Sequence, residues 1–263
     1  MGDRAAGRLD ALGPLLSGAT GVINLEGPVG PEPSPGEGVR LHNDPAALWA
    51  LHDAGVRVVG IANNHAMDAG EGAPSATAAA LREAGLVPAG LDAAEAVVVV
   101  RGKKVAVTAH DLARGAPPTL RDDLARAASK ADVLVATFHV TGPPSYLPRP
   151  ELREAVEVAL GAGARVVAAH GTHAVAPVER RDGSIIAWGL GNLLFSCDCT
   201  EEIDGAILRA SIGQERVDAQ IIPIDAGLRG GAARLSHDPA LLIDLFEAIG
   251  SSPLERNGTV ARF

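Results

Sequence analysis

The chain has 263 residues, 47% of them hydrophobic and 21% charged, a balance that excludes intrinsic disorder and supplies enough apolar surface for a core. Its net charge of −9 is opposite in sign to a nucleic-acid footprint, and at 3% aromatic residues it offers no stacking platform, so nucleic acid is not an expected partner. The length suits one α/β domain over 1–263, with a motif-bearing core at about 20–210 and C-terminal strands and a helix over 205–249.

Taken in order, β-branched runs alternate with helix-period stretches, the mark of parallel βαβ units. Strands are predicted at Gly21–Leu25, Arg57–Ala62, Val97–Val100, Lys104–Ala109, Asp132–Phe138, Ala164–Ala169 and Ser184–Leu190. Most are continuous apolar runs, which predicts burial on both faces. Helical patterns fall at about 7–17, 45–54, 74–86, 119–130 and 151–162. Asp44-Pro45 and Pro150-Glu151 read as helix starts, with proline in the first turn and an acid favoured by the helix dipole. The loop Gly30 to Gly38 is rich in Pro, Gly and Glu and reads as an exposed excursion. After Leu190 the pattern turns to strands without long helices, Gly205–Ser211 and Arg216–Ile224, which predicts an antiparallel finish. A last helix is expected over Pro239–Ile249, followed by an irregular tail, SSPLERNGTVARF.

The first twenty residues carry Asp3, Arg4, Arg8 and Asp10, so no apolar leader is read there. The longest uncharged stretch, Ser184 to Cys197, falls short of the roughly 20 residues that span a bilayer, and no membrane partner is expected. Cys197 and Cys199 stand one residue apart, where a disulfide would be badly strained, which predicts two free thiols and a cytoplasmic location.

Five strand-like runs end in side chains that bind metals or move protons: Asn24 and Glu26, then Asn63-Asn64-His65, then His110, then His139, then His170 with His173. Ligands of open α/β sheets bind beyond the carboxyl ends of the strands, so these positions are expected to converge. Five of the eight histidines occupy such ends; His42, His52 and His237 do not. Neutral imidazole, carboxylate and amide together suit Mn, Fe, Zn or Mg, and a metal held this way activates water. Each residue also has a plainer reading. Asn63-Asn64-His65 is a possible polar turn, Glu26 the start of the exposed loop, and His139 a core histidine on a carbonyl.

The string GIANNHAMDAGEGAPSATAAALREAGLVPAG resembles the central signature of the bacterial CapA family of poly-γ-glutamate capsule proteins, whose domain is similar to calcineurin-like metallophosphoesterases. VINLEGPV, ATFHVTG and VVAAHGTHAVAPVERRDGSIIAWGLGNLLF agree in order and spacing, and the likeness covers roughly residues 20 to 210. It implies a layered α/β/β/α sandwich with mixed sheets and a site for one or two divalent ions, Mn, Fe or Zn. By the same resemblance Glu26 bridges metals, Asn64, His139 and His170 bind the second, His173 faces the first, and His65 donates the leaving-group proton. Asp3 matches the aspartate that ends the family's first strand, although only Met1 and Gly2 precede it and Ala5 stands where a histidine is usual.

The resemblance implies a metal-dependent hydrolase of a phosphate ester, or of another ester or amide, acting on a small-molecule or polymer substrate, with a homo-oligomer possible. Two other expectations stand beside it: an accessory role in making or exporting an anionic polymer, which a charge of −9 would repel, and a degenerate module that binds without catalysis.

Overall fold

The structure is a computed structural model that describes residues 7–34, 38–91 and 94–263. Its first sheet is parallel, β1 (Gly21–Asn24), β2 (Val56–Gly60) and β3 (Val87–Ala89) in that order. The second holds β4 (Ala96–Val100), β5 (Lys103–Asp111), β6 (Val133–His139), β7 (Ala164–His170), β8 (Val178–Arg181) and β9 (Ser184–Ala187) in the order β4-β5-β6-β7-β9-β8. Its centre is parallel while both edges, β4 and β8, run antiparallel to their neighbours. The two-residue β10 (Leu194–Phe195) pairs with β13 (Gly227–Leu228). The third sheet is antiparallel: β11 (Asp204–Ile212), β12 (Val217–Asp225), β16 (Val260–Arg262) and β15 (Glu255–Asn257), with β14 (Arg234–Leu235) also on β12.

Behind a short first helix, α1 (Gly13–Leu16), come α2 (Pro45–Asp53), α3 (Ala73–Glu83), α4 (Leu120–Ser129), α5 (Pro150–Gly161) and α6 (Pro239–Ala248). Local chemistry explains where they begin. Asp44 accepts from the Ala46 amide and Asp238 from the Leu241 amide, each just before a proline whose missing N–H costs the first turn nothing.

Leu124 and Ala127 of α4 and Leu152, Ala155 and Val156 of α5 pack on one face of the second sheet with Leu134, Ala136 and Phe138. Leu48, Leu51, Ala78 and Leu81 of α2 and α3 cover the outer face of the first sheet. Between the β layers, Val58, Ala89, Ala96, Val107 and Ala109 meet, and further along Ala168, Ile185 and Ala187 meet Ala219 and Ile221, with Phe246 of α6 in the same cluster. The close approach of the first two sheets needs glycine: a Cβ on Gly90, at φ +92°, would lie 2.7 Å from the Ala109 carbonyl. The expected α/β/β/α order is therefore present, with all seven predicted strands of the first part in place.

Two expectations are corrected. Apart from these, β1 is only half-buried and pairs, among the described residues, on one side alone. The tail is not irregular: Gly258, at φ +62°, opens a two-residue turn that folds β15 onto β16, a signal carried by glycine at the first position of the Gly258-Thr259 pair. Cys197 and Cys199 are joined in a disulfide with Cα atoms 5.2 Å apart, because the chain bends through a turn there instead of running extended. The inference of a reducing compartment rested on free thiols and loses that support. No helix among the described residues is long and apolar enough to cross a membrane.

Candidate metal centre

The carboxyl ends of four strands meet at one rim. Glu26 follows β1, and its backbone is splinted on both sides. Buried Asn63 accepts from the Gly27 amide at 3.2 Å and donates to the Leu25 carbonyl at 2.9 Å, and Asn43 Nδ2 donates to the Glu26 carbonyl at 2.9 Å. Asn64 and His65 lie in the run of tight turns after β2. His139 and His170 close β6 and β7 as register partners, so their side chains share one face of the sheet.

Glu26 Oε1 stands 3.7 Å from His139 Nε2 and 3.9 Å from His65 Nε2. Asn64 Oδ1 is 2.7 Å from the same His139 nitrogen. The Glu26 side chain is 11% exposed and that of His139 only 1%. Gly171, at φ +97°, makes room for the imidazole, since a Cβ there would sit 2.6 Å from His139 Nε2 and 2.7 Å from the Val140 carbonyl. His173 holds φ +59°, a region that costs a non-glycine residue about 1–2 kcal/mol. It is fixed there by Asn192 Oδ1 at 2.8 Å from Nδ1 and by the edge of Phe195 at 4.9 Å, while Asn192 Nδ2 donates to the Glu202 carbonyl. Strain held in place at a functional rim is the usual sign of a side chain that must point one way.

The electrostatics follow from burial. Burial pushes the Glu26 carboxyl up to about 7, a rise that His65 opposes and Asp68 assists. Burial also pushes His139 down to about 3, helped by the nearby His170, His173 and His65, and His170 down to about 4. Both imidazoles are thus neutral at pH 7, the form that ligates metal.

These donors fit a divalent cation. Ligands held about 2.0–2.2 Å from one ion stand roughly 3 Å apart, and the separations around His139 Nε2 and Glu26 Oε1 straddle that spacing. Among the described residues no three His, Cys, Asp or Glu are drawn together at coordination distance, so the compact trio is Glu26, Asn64 and His139, with His170 and His173 standing further off. The buried Nδ1 of His139 has no hydrogen-bond partner, which leaves Nε2 as the face of the ring turned to polar groups.

Of the residues singled out in the sequence, Glu26, Asn64, His65, His139, His170 and His173 come to this rim, and Asp3 lies outside the described residues. His110 does not join them. Its ring turns to the other face of the sheet, 5.9 Å from that of Phe138, near Asp123 and Arg126. Sequence reasoning missed Asp68, whose Oδ2 is 2.8 Å from His65 Nδ1 and 2.7 Å from the Leu41 amide. The spacing of three residues within NHAMD, one turn, was the available signal. Gly171 and Asn43 gave no such signal.

Residues 8–197 match the family described as bacterial capsule synthesis protein PGA_cap. The chain is similar to the PGA biosynthesis protein CapA of Bacillus subtilis (strain 168), at 25% identity over 210 residues, 71% of this chain and 55% of that protein. It therefore spans about half the length of the curated relative it matches. Among solved structures it is similar to a novel phosphatase from Mycoplasma pneumoniae, with a TM-score of 0.50 at 14% identity, over 88% of this chain and 85% of that one. That likeness bears on the fold alone.

Proposed function

The chain belongs to the bacterial capsule synthesis protein PGA_cap family, and from that premise we propose that it is a metal-dependent hydrolase of phosphate esters or of related esters and amides. The observation that carries this reading is Glu26. A nearly enclosed carboxylate faces two imidazole nitrogens and an amide oxygen, and among the described residues no Lys or Arg ion-pairs with it. A buried charge of this kind asks for a cation.

Glu26, Asn64 and His139 would hold the metal, with His170 and His173 completing the set for one or two ions, Mn, Fe or Zn. The metal, when bound, supplies polarisation of the substrate and activation of water near neutral pH. The chain's own residues do the rest. Asp68 accepts from Nδ1–H of His65 and fixes the ring, which turns Nε2 toward the Glu26 side of the rim. From there Nε2–H donates to the leaving-group oxygen and returns as the neutral base. Asn192 holds the His173 ring from behind, so that Nε2 is the nitrogen left for the site.

The test is metal analysis of the purified protein together with turnover of a generic aryl phosphate. Stoichiometric divalent metal and turnover are expected. Absence of metal, and no turnover after Mn²⁺ or Zn²⁺ is added, refutes the reading. His65→Ala is expected to lose about 10²–10⁴ in rate with metal content intact; equal behaviour of the two proteins favours a module that binds without catalysis.

A second reading follows the relative's printed name, a role in poly-γ-glutamate biosynthesis on a polymer substrate. Binding of poly-γ-glutamate by the purified protein, unaffected by Glu26→Gln, favours it over hydrolysis at the rim.

A further inference from the structure

The loop that leaves β6 directly after His139 runs from Val140 to Arg149 at the start of α5. It departs from the site itself: the Val140 amide donates to the His170 carbonyl at 2.8 Å, and the Val140 carbonyl is one of the atoms that Gly171 must clear. Two residues on, Gly142 holds φ +148°, and a Cβ there would fall inside the guanidinium of Arg149. The backbone of this loop is therefore shaped around the Arg149 side chain.

That cation is poorly used by the protein. Arg149 Nε is buried and has no hydrogen-bond partner. Its nearest carboxylate, Glu151, stands 3.7 Å from Nη1, beyond hydrogen-bond distance and about one-third exposed, a pairing worth little. A buried, unpaired N–H on a charged group costs free energy in the empty protein. Guanidinium is also the side chain whose planar fork matches phosphate and carboxylate oxygens. Only Val140 and Thr141 separate Gly142 from His139, so the Cα of Gly142, on which the guanidinium rests, is at most about 11 Å from that of His139, on the loop that leaves the site.

We infer that Arg149, cradled on Gly142, is the residue that binds the anionic oxygens of the substrate, with Nε–H as one of the donors. The inference rests on the hydrolase reading and names its substrate as an anion, phosphate or carboxylate.

The experiment measures binding of inorganic phosphate and, separately, of glutarate to the full chain, with metal content determined on the same samples, for wild type, Arg149→Gln and Arg149→Lys. Loss of one bidentate, charge-assisted contact predicts about 10- to 100-fold weaker binding in Arg149→Gln. Metal content and unfolding midpoint are expected to stay unchanged, with partial recovery in Arg149→Lys. Preference for phosphate over glutarate, lost in Arg149→Gln, assigns the anion as a phosphate, and the reverse preference assigns a carboxylate. Equal anion affinity in Arg149→Gln and wild type overturns the inference, as does a variant whose weaker binding comes with lost metal or a lowered midpoint. Wild type that holds no metal and turns over no aryl phosphate after Mn²⁺ or Zn²⁺ is added refutes the hydrolase reading instead, and the comparison of the arginine variants is still readable, because the guanidinium contact needs no metal.

Discussion

Gly171→Ala tests how the fold positions its central imidazole. Two costs follow from the structure. The residue holds φ +97°, which disfavours any side chain by about 1–2 kcal/mol. The new methyl would lie 2.6 Å from His139 Nε2, with the Val140 carbonyl 2.7 Å away on backbone that is hydrogen-bonded to the neighbouring strand, so the imidazole is the part that moves. Forcing that ring off its rotamer adds about 0.5–1.5 kcal/mol. The smaller unfolded-state entropy of alanine returns about 0.4–1 kcal/mol. The balance is a loss of about 1–3 kcal/mol, or roughly 2–10 °C in Tm for a chain of this size. The same displacement takes His139 out of line with Glu26 and Asn64, and a loss of about 10- to 100-fold in Mn²⁺ affinity is expected, the scale set by disturbing a ligand's support. Calorimetric unfolding and Mn²⁺ titration read the two effects separately. Gly161→Ala is the control: it ends α5 with nothing within 4 Å of the new methyl and no positive φ, and is expected to be neutral or stabilising by up to about 1 kcal/mol. A Gly171→Ala protein that binds Mn²⁺ as tightly as wild type would refute the reasoning.

Asp68→Ala is expected to lower kcat on an aryl phosphate about 10- to 100-fold with metal content unchanged, since it frees His65 from one side only; a loss of metal would mean that Asp68 supports the site as a whole. Asp225 is 1% exposed, and although burial works to raise its carboxyl, hydrogen bonds from His237 and Arg234 outweigh it and hold the group below the ordinary value. The stability it contributes is therefore complete above the ordinary carboxylate pKa of about 3.9 and lost as pH falls through the depressed folded value. Asp225→Asn is expected to cost about 1–3 kcal/mol at pH 7 and to flatten the acid limb of the stability curve, measured by urea unfolding between pH 2 and 7; an unchanged acid limb contradicts the assignment. His173→Gly is expected to leave folding within about 1 kcal/mol of wild type, because relief of the left-handed strain offsets the added chain entropy, while metal affinity falls.

Much of this arrangement was legible in the sequence, for a physical reason. Central parallel strands are buried on both faces, so VAVTAHD, DVLVATFH and ARVVAAH announce themselves as apolar runs, and the first polar residue after each marks the rim. That rule placed His139 and His170. It misassigned His110 because consecutive strand residues face opposite sides, and the run alone does not say which of His110 and Asp111 turns inward. Asp68 and Asn43 were missed because they act through turns, where no period links a side chain to its partner. Gly171 is invisible in sequence for a related reason: what it must clear, the His139 ring, lies 32 positions earlier and is adjacent only through the β6–β7 register. The Cys197–Cys199 pairing was misjudged by carrying strand geometry two residues too far.

The central claim is that Glu26, Asn64 and His139 surround one cation. Anomalous diffraction from a crystal grown with Mn²⁺ tests it directly. The account predicts a peak within coordination distance of Glu26 Oε1, Asn64 Oδ1 and His139 Nε2, abolished in Glu26→Gln; no peak at that rim under saturating Mn²⁺, or one that persists unchanged in Glu26→Gln, contradicts it.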